Sequence, residues 1–272
     1  QKLTGGVGFG SGVAISGNTA VIGSRDSATV FTRNGSVWTE QQTLPGPGFN
    51  TTNAVAISGE TLIAGLSVFV RSGTTWTEQQ RLTPPNIPPG AVSSLAISGN
   101  TVVIGVDEVT VTHTAQGAVY VFKRTGTVWT QQQMLLAPDP GMLNFFGTSV
   151  AFFGEALVVG APNNDVHGSA YVFYGCGSQW TFQQKVVAFD RGNEYTGTFE
   201  FQINEEFGHS VAISDDSVIF GARGEDANLG QTADDIDFGA AYLMPRTDLP
   251  PIQCEPELEV NITTDEPDAV VG

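Results

Sequence analysis

The sequence predicts an all-β chain of tandem repeats, folded as a β-propeller of four-stranded blades. Three observations carry that prediction. First, Trp129-Thr130-Gln131-Gln132-Gln133-Met134-Leu135 recurs as Trp38 to Leu44, Trp76 to Leu82 and Trp180 to Val186, so all four tryptophans occupy one repeated place. A fixed internal period marks a repeat architecture, and it decides the fold before any local reading does. Second, each copy closes a unit of short strand-like segments separated by turn residues. Third, no stretch keeps apolar residues at helical spacing for three turns, while glycine is abundant at 33 of 272 residues.

The units follow in order. Unit one reads Gly12 to Ser16, Thr19 to Gly23, Ala28 to Thr32 and Trp38 to Leu44. Unit two reads Val55 to Ser58, Thr61 to Gly65, Ser67 to Val70 and Trp76 to Leu82. Unit three reads Leu95 to Ser98, Thr101 to Gly105, Ala118 to Phe122 and Trp129 to Leu135. Unit four reads Val150 to Phe153, Ala156 to Gly160, Ala170 to Phe173 and Trp180 to Val186. Unit five reads Val211 to Ser214, Ser217 to Gly221 and Ala240 to Met244, and lacks the tryptophan strand. Gln1-Lys2-Leu3-Thr4 matches the tail of that strand, so residues 1–4 are expected to complete blade five and remove an open sheet edge. The alternative is that the chain merely opens in mid-pattern, as a piece of something longer would.

The turns suit these strands. Ser16-Gly17-Asn18, Ser58-Gly59-Glu60 and Ser98-Gly99-Asn100 join strands one and two, while Asn34-Gly35, Ser72-Gly73 and Thr125-Gly126 join strands three and four. Glycine and asparagine admit the positive φ that tight hairpins need. Ala14, Ala56, Ala96, Ala151 and Ala212 place small side chains where a wedge-shaped blade narrows toward its axis. Trp38, Trp76, Trp129 and Trp180 fall at the wide rim and are expected to be structural anchors, since a buried indole removes roughly 150–250 Å² from water.

Composition restricts the partners. The formal net charge is −17, which repels phosphate backbones and disfavours nucleic acid. No apolar run approaches the ~20 residues of a membrane-spanning helix, so membrane insertion is not expected. Asn34, Asn50 and Asn261 open glycosylation sequons. With low lysine content and high acidity, they point to a secreted or cell-surface protein. Two cysteines in such a chain, Cys176 at the strand 3–4 turn of unit four and Cys254 beyond Pro250-Pro251, are expected to form a disulfide pinning the tail to blade four. Residues 1–247 read as the propeller. Residues 248–272 read as an extension, with Glu255 to Thr263 alternating like the first strand of a further domain.

Further residues carry a family resemblance. Phe9-Gly10, Phe146-Gly147 and Phe207-Gly208 precede strand one by a constant offset, and Gly160-Ala161-Pro162 follows strand two of unit four. Gly221-Ala222-Arg223 takes that place in unit five. The pattern resembles the FG-GAP repeat, the unit of integrin α-subunit propellers and of many secreted microbial and algal proteins, over roughly residues 1–247. Units two and three depart from it by lacking Phe-Gly, and only unit four keeps Gly-Ala-Pro. Five units are visible, consistent with a closed five-bladed ring, the alternative being part of a seven-bladed one.

Connectivity then sorts the loops. Strand 1–2 and 3–4 turns share one face and are short throughout. Strand 2–3 loops and blade-to-blade links share the other face, with long excursions at residues 106–117, 162–168, 189–206 and 223–238. Variable loops on a rigid scaffold are where binding usually resides. They are acidic here. The resemblance implies Ca²⁺ in such loops, and the candidate ligands are Asn163 and Asp165 in unit four and Asp226, Asp234, Asp235 and Asp237 in unit five. Ca²⁺ takes six to eight oxygens including charged ones. Catalytic constellations are poor: His113, His167 and His209 are scattered, and no Gly-x-Ser-x-Gly elbow occurs. The expectation is a non-enzymatic extracellular interaction or structural module of a cell-surface, adhesion or filamentous assembly, binding protein partners or itself through the acidic loop face. A carbohydrate-binding lectin is the alternative, and a hydrolase using unit-five carboxylates such as Asp235 stands behind it.

Overall fold

Five antiparallel sheets succeed one another along the chain as the blades of a β-propeller. The computed structural model describes residues 1–46, 54–87, 91–165, 167–176, 179–189, 206–223 and 239–251. Blade one comprises β1 (Gly12–Ser16), β2 (Thr19–Ser24), β3 (Ser27–Asn34) and β4 (Val37–Pro45). Blade two comprises β5 (Val55–Ser58), β6 (Thr61–Ala64), β7 (Ser67–Ser72) and β8 (Thr75–Arg81). Blade three comprises β9 (Ser94–Ser98), β10 (Thr101–Val106), β11 (Ala118–Thr125) and β12 (Val128–Leu135). Blade four comprises β13 (Ser149–Phe153), β14 (Ala156–Ala161), β15 (Ser169–Cys176) and β16 (Gln179–Val186). Blade five comprises β17 (Phe207–Ile213), β18 (Ser217–Ala222) and β19 (Ala240–Pro245). The described residues contain no α-helix, only a one-turn 3₁₀ segment at Arg246–Asp248.

Stacked blades cover both faces of a blade's middle strands. Those strands therefore read as continuous apolar runs, such as Ala156–Ala161, which is buried throughout. The outer strands are polar along most of their length instead, as in β12, where Trp129 and Leu135 are buried and Thr130, Gln131 and Gln132 are exposed. Four clusters of buried side chains fill four seams. Val21, Val30, Leu62 and Trp76 join blades one and two; Ile63, Val68, Ile104 and Trp129 join blades two and three. Val103, Val121, Phe146 and Tyr171 join blades three and four; Val158, Val172, Phe207 and Phe220 join blades four and five.

A register shift recurs between the third and fourth strands of blades one to four. Val30 faces Gln42 but Phe31 faces Glu40, which leaves Gln41 as an extra residue. The same step isolates Gln79, Gln132 and Gln183 in the other three blades. Successive residues of a regular strand point to opposite faces, whereas a bulge re-aims the inserted side chain. Both residues of the glutamine pair can then serve one seam. Gln42 Nε2 donates to Trp76 O at 2.9 Å, Trp76 N donates to Gln42 Oε1 at 2.8 Å, and Trp76 Nε1 donates to Gln41 Oε1 at 3.1 Å.

Residues 1–4 are the segment expected to complete blade five. Among the described residues blade five has three strands, and residues 1–4 form no ladder with it. Gln1 nevertheless holds Trp38 as Gln42 holds Trp76: its Nε2 donates to Trp38 O at 2.7 Å and its Oε1 accepts from Trp38 N at 2.8 Å. The tryptophans also divide. Trp76 and Trp129 are buried, while Trp38 and Trp180 are half-buried. Trp129, like Trp76, gives its indole N–H to the extra glutamine of the preceding blade, here Gln79 at 3.2 Å. Gln132, before Trp180, turns back onto Thr130 instead.

Candidate interaction face

The glycines of the Phe-Gly and Gly-Ala-Pro motifs meet at the seams. Gly147 and Gly208 adopt positive φ of 99° and 87°, a region that glycine enters without steric cost. That conformation turns their carbonyls toward the preceding blade, where Ser94 Oγ donates to Gly147 O and Ser149 Oγ donates to Gly208 O, each at 2.8 Å. The approach is so close that a Cβ on Gly105 would lie 2.1 Å from Gly147 O, and one on Gly160 would lie 1.9 Å from Gly208 O. The preceding phenylalanines, Phe146 and Phe207, are buried in the same seams. The motif is thus a joint between blades, and it fixes where the adjoining loops emerge.

The short-turn face uses its polar groups for internal fastening. Arg71 pairs with Glu60 and reaches back to Thr19 Oγ1 at 3.1 Å; Arg124 pairs with Asn100 and reaches Thr61 Oγ1 at 3.1 Å. The same guanidinium groups stack on Trp76 and Trp129 of their own blades, 5.4 and 5.1 Å from the ring centroids.

The opposite face is built of loops that brace one another. Leu143 N donates to Thr114 O at 2.8 Å and Phe146 N donates to Gln116 O at 3.0 Å, joining the loop after β10 to the segment that enters blade four. Gln116 is buried, and its Oε1 accepts from Thr112 N at 2.9 Å and His113 N at 2.6 Å. Asp107 accepts from Ser93 Oγ at 2.5 Å and from Thr148 Oγ1 at 3.1 Å.

Beside this ledge lies a charged cluster assembled from three distant segments. Lys185 Nζ donates to Asp139 Oδ2 at 2.7 Å and to Asp165 Oδ2 at 2.8 Å, and Tyr171 OH donates to Asp139 Oδ1 at 2.6 Å. Burial works against the Lys185 charge, but its two carboxylate partners outweigh that and raise its pKa. Burial likewise opposes the Asp139 carboxylate, yet hydrogen bonds from Lys185 and Tyr171 hold it below the usual carboxylate range. Burial, followed by the bond to Asp139, pushes the Tyr171 phenol well up, so Tyr171 is a donor at any physiological pH.

Asn163 and Asp165 sit in this region. Asp165 is exposed with φ of +58°, and its carboxylate already faces the Lys185 ammonium. A divalent cation would have to share the site with that ammonium, and no group of three His, Cys, Asp or Glu side chains able to hold a metal occurs among the described residues. The blade-four donors do not fit Ca²⁺. Asp226, Asp234, Asp235 and Asp237 lie outside the described residues, as do Asn50, Asn261 and Cys254. Asn34 is exposed at the end of β3, and Cys176 is disulfide-bonded. The histidines do not converge: His113 Nδ1 lies 2.9 Å from Thr112 Oγ1, while His209 approaches Glu206 at 3.6 Å. Sequence reasoning did not find Asp139, Lys185 or Tyr171; each belongs to a different segment, and only the fold brings them together.

No helix among the described residues is long and apolar enough to cross a membrane. No curated protein matches the chain significantly. Residues 129–173, from the β12 tryptophan into β15, match the FG-GAP repeat, and so do residues 202–244, which end in β19. Together with the glycine joints of its seams, these matches make the chain consistent with the FG-GAP repeat family, whose propellers are typically interaction modules rather than catalysts.

Proposed function

We propose that the protein is an extracellular, non-enzymatic interaction or structural module of a cell-surface, adhesion or filamentous assembly, engaging a protein partner or further copies of itself through the long-loop face. The observation that supports this reading is the asymmetry of the propeller. One face is short turns whose arginines and hydroxyls hold neighbouring blades, whereas the other presents braced loops carrying Asp107, Glu108, Asp139 and Asp165. A rigid scaffold with an elaborated acidic face suits a partner with basic surface, because charge complementarity steers encounter and weakens with salt. Ca²⁺ in the unit-five loop is part of the proposal. Calorimetry showing no heat on Ca²⁺ addition, with an unchanged melting temperature under chelation, removes it.

The test is binding of the purified chain to an array of secreted and cell-surface ectodomains, with a glycan array in parallel. Protein binding is expected that weakens as salt rises. It is also expected to be lost when Asp107, Glu108, Asp139 and Asp165 become the corresponding amides, and retained after Asp215→Asn on the short-turn face. Binding to glycans alone establishes the lectin reading instead, and protein binding untouched by the loop substitutions overturns the choice of face.

A further inference from the structure

One residue position fastens the blades on the short-turn face, and blade four leaves it bare. Arg33, Arg71, Arg124 and Arg246 each donate a main-chain N–H to the strand 1–2 turn of their own blade, at Asn18 O, Glu60 O, Asn100 O and Asp216 O, over 2.7–2.9 Å. In blade four that donor is Gly175, bonded to Glu155 O at 2.8 Å. The first three arginines lie opposite the tryptophan near the start of the fourth strand. Their guanidinium groups stack on it, 5.4, 5.4 and 5.1 Å from the ring centroids. Gly175 lies opposite Trp180 with no side chain to place there, and the indole leans onto the bare backbone, its Cε2 and Cζ2 only 3.0 Å from where a Cβ would lie.

The groups that such an arginine meets elsewhere are all present between blades three and four. Arg71 reaches Thr19 Oγ1 and Arg124 reaches Thr61 Oγ1, in each case the first residue of the second strand of the preceding blade; here that residue is Thr101. Arg71 also pairs with Glu60 of its own turn, and Glu155 takes the place of Glu60. Neither the Thr101 hydroxyl nor the Glu155 carboxylate has a partner among the described residues. Two further fastenings are missing from this seam. Ser16 Oγ accepts from Gly59 N and Ser58 Oγ from Gly99 N, but no such bond joins Ser98 to Gly154 among the described residues. The Trp180 indole N–H lacks the glutamine that Trp76 and Trp129 use, because Gln132 turns back onto Thr130.

A cleft of about 290 Å³ opens at this seam, and Thr101, Lys123, Gln132, Phe152, Glu155 and Trp180 help to line it. The corresponding cleft between blades one and two is lined by Arg71 and Glu60, whose charges satisfy each other. Lys123 does not neutralise Glu155 in that way, since the two form no ion pair among the described residues. We infer that this cleft receives the arginine side chain of a protein partner. The guanidinium pairs with the Glu155 carboxylate, donates to Thr101 Oγ1 and stacks against the Trp180 ring, which is the set of contacts Arg71 makes with Glu60, Thr19 and Trp76. Lysine suits the cleft less, because a compact ammonium cannot offer a carboxylate parallel N–H groups while lying flat on a ring. The site is separate from the braced loops of the opposite face, and the net charge of −17 favours approach of a basic partner.

The test titrates the full chain with N-acetyl-arginine amide, a single arginine blocked at both ends as it is within a polypeptide. It follows the indole N–H resonance of Trp180 by NMR, assigned by its absence from Trp180→Phe. A progressive, saturating shift of that resonance is expected. The citrulline analogue, neutral but of the same shape, is expected to bind at least about tenfold more weakly, and Glu155→Gln to weaken arginine binding by a similar factor. Gly175→Arg supplies the side chain from within the molecule and is expected to abolish binding. No shift at any soluble concentration of the arginine probe, or an equal shift with the citrulline analogue, overturns the inference. So does binding that is undiminished in Glu155→Gln or persists in Gly175→Arg.

Discussion

Gln80 grips Trp129 by both main-chain groups: its Nε2 donates to Trp129 O and its Oε1 accepts from Trp129 N, each at 2.8 Å. The contact spans two blades and fixes one against the other along the strand direction. Gln80→Ala leaves both groups of a buried residue without this partner, which is expected to cost about 1–3 kcal/mol in urea unfolding. Gln184 holds no such main chain among the described residues, so Gln184→Ala serves as the control and is expected to be close to neutral.

The glycine joints give a second expectation. Gly160→Ala places a methyl group 1.9 Å from the Gly208 carbonyl and 2.4 Å from Ser149 Oγ, so blades four and five must move apart. Overpacking of this kind typically costs about 1–3 kcal/mol, read as a lower denaturation midpoint.

The rim tryptophans should rank by burial. Trp129→Ala is expected to cost about 3–5 kcal/mol, the usual range for removing a core aromatic. Trp38→Ala should cost clearly less, since Trp38 is only half-buried. Calorimetric melting of the two variants decides the order, and equal losses would contradict it.

The Lys185 cluster predicts a pH dependence with a definite sign. Asp139 is depressed in the folded state, so its contribution is present above the ordinary carboxylate pKa and is lost as pH falls through the lower folded value. Lys185 is raised, so its contribution is complete below the ordinary lysine pKa and is lost as pH rises through the higher folded value. Asp139→Asn should therefore flatten the acid limb of the stability profile, and Lys185→Met the alkaline limb. Melting temperature against pH reads both. Because Asp139 is about half exposed, the effect on the acid limb should be modest.

The disulfide expectation is checked by mass. Cys176 is bonded, and Cys254 is the other cysteine of the chain. The intact non-reduced protein should be lighter than the reduced protein by two hydrogens, and peptide mapping should link the two residues.

The architecture was legible because each repeat restates it. The Trp38 to Leu44 segment lies within β4, and the turn glycines expected from composition, including Gly17, Gly59 and Gly99, carry positive φ. The role of the glutamine pair was not legible. Strict alternation sends Gln41 and Gln42 to opposite faces, and only the bulge brings both to one seam. Nor could sequence show the Lys185 cluster, since Asp139 lies in the link between β12 and β13, Lys185 lies on β16, and only the fold brings the two together. The unequal burial of the four tryptophans was not legible either, because an indole is as buried as its neighbour blade makes it.

The glutamine fastening has a consequence for how such a chain can change length. Blades one to three each carry a hook near the end of the last strand, a glutamine, and blades two to four each carry the eye at the start of theirs, the tryptophan main chain. Copying or deleting one whole period keeps each hook opposite an eye, wherever in the period the cut falls. Gain or loss of a fraction of a period does not. The natural step for this scaffold is thus one full repeat.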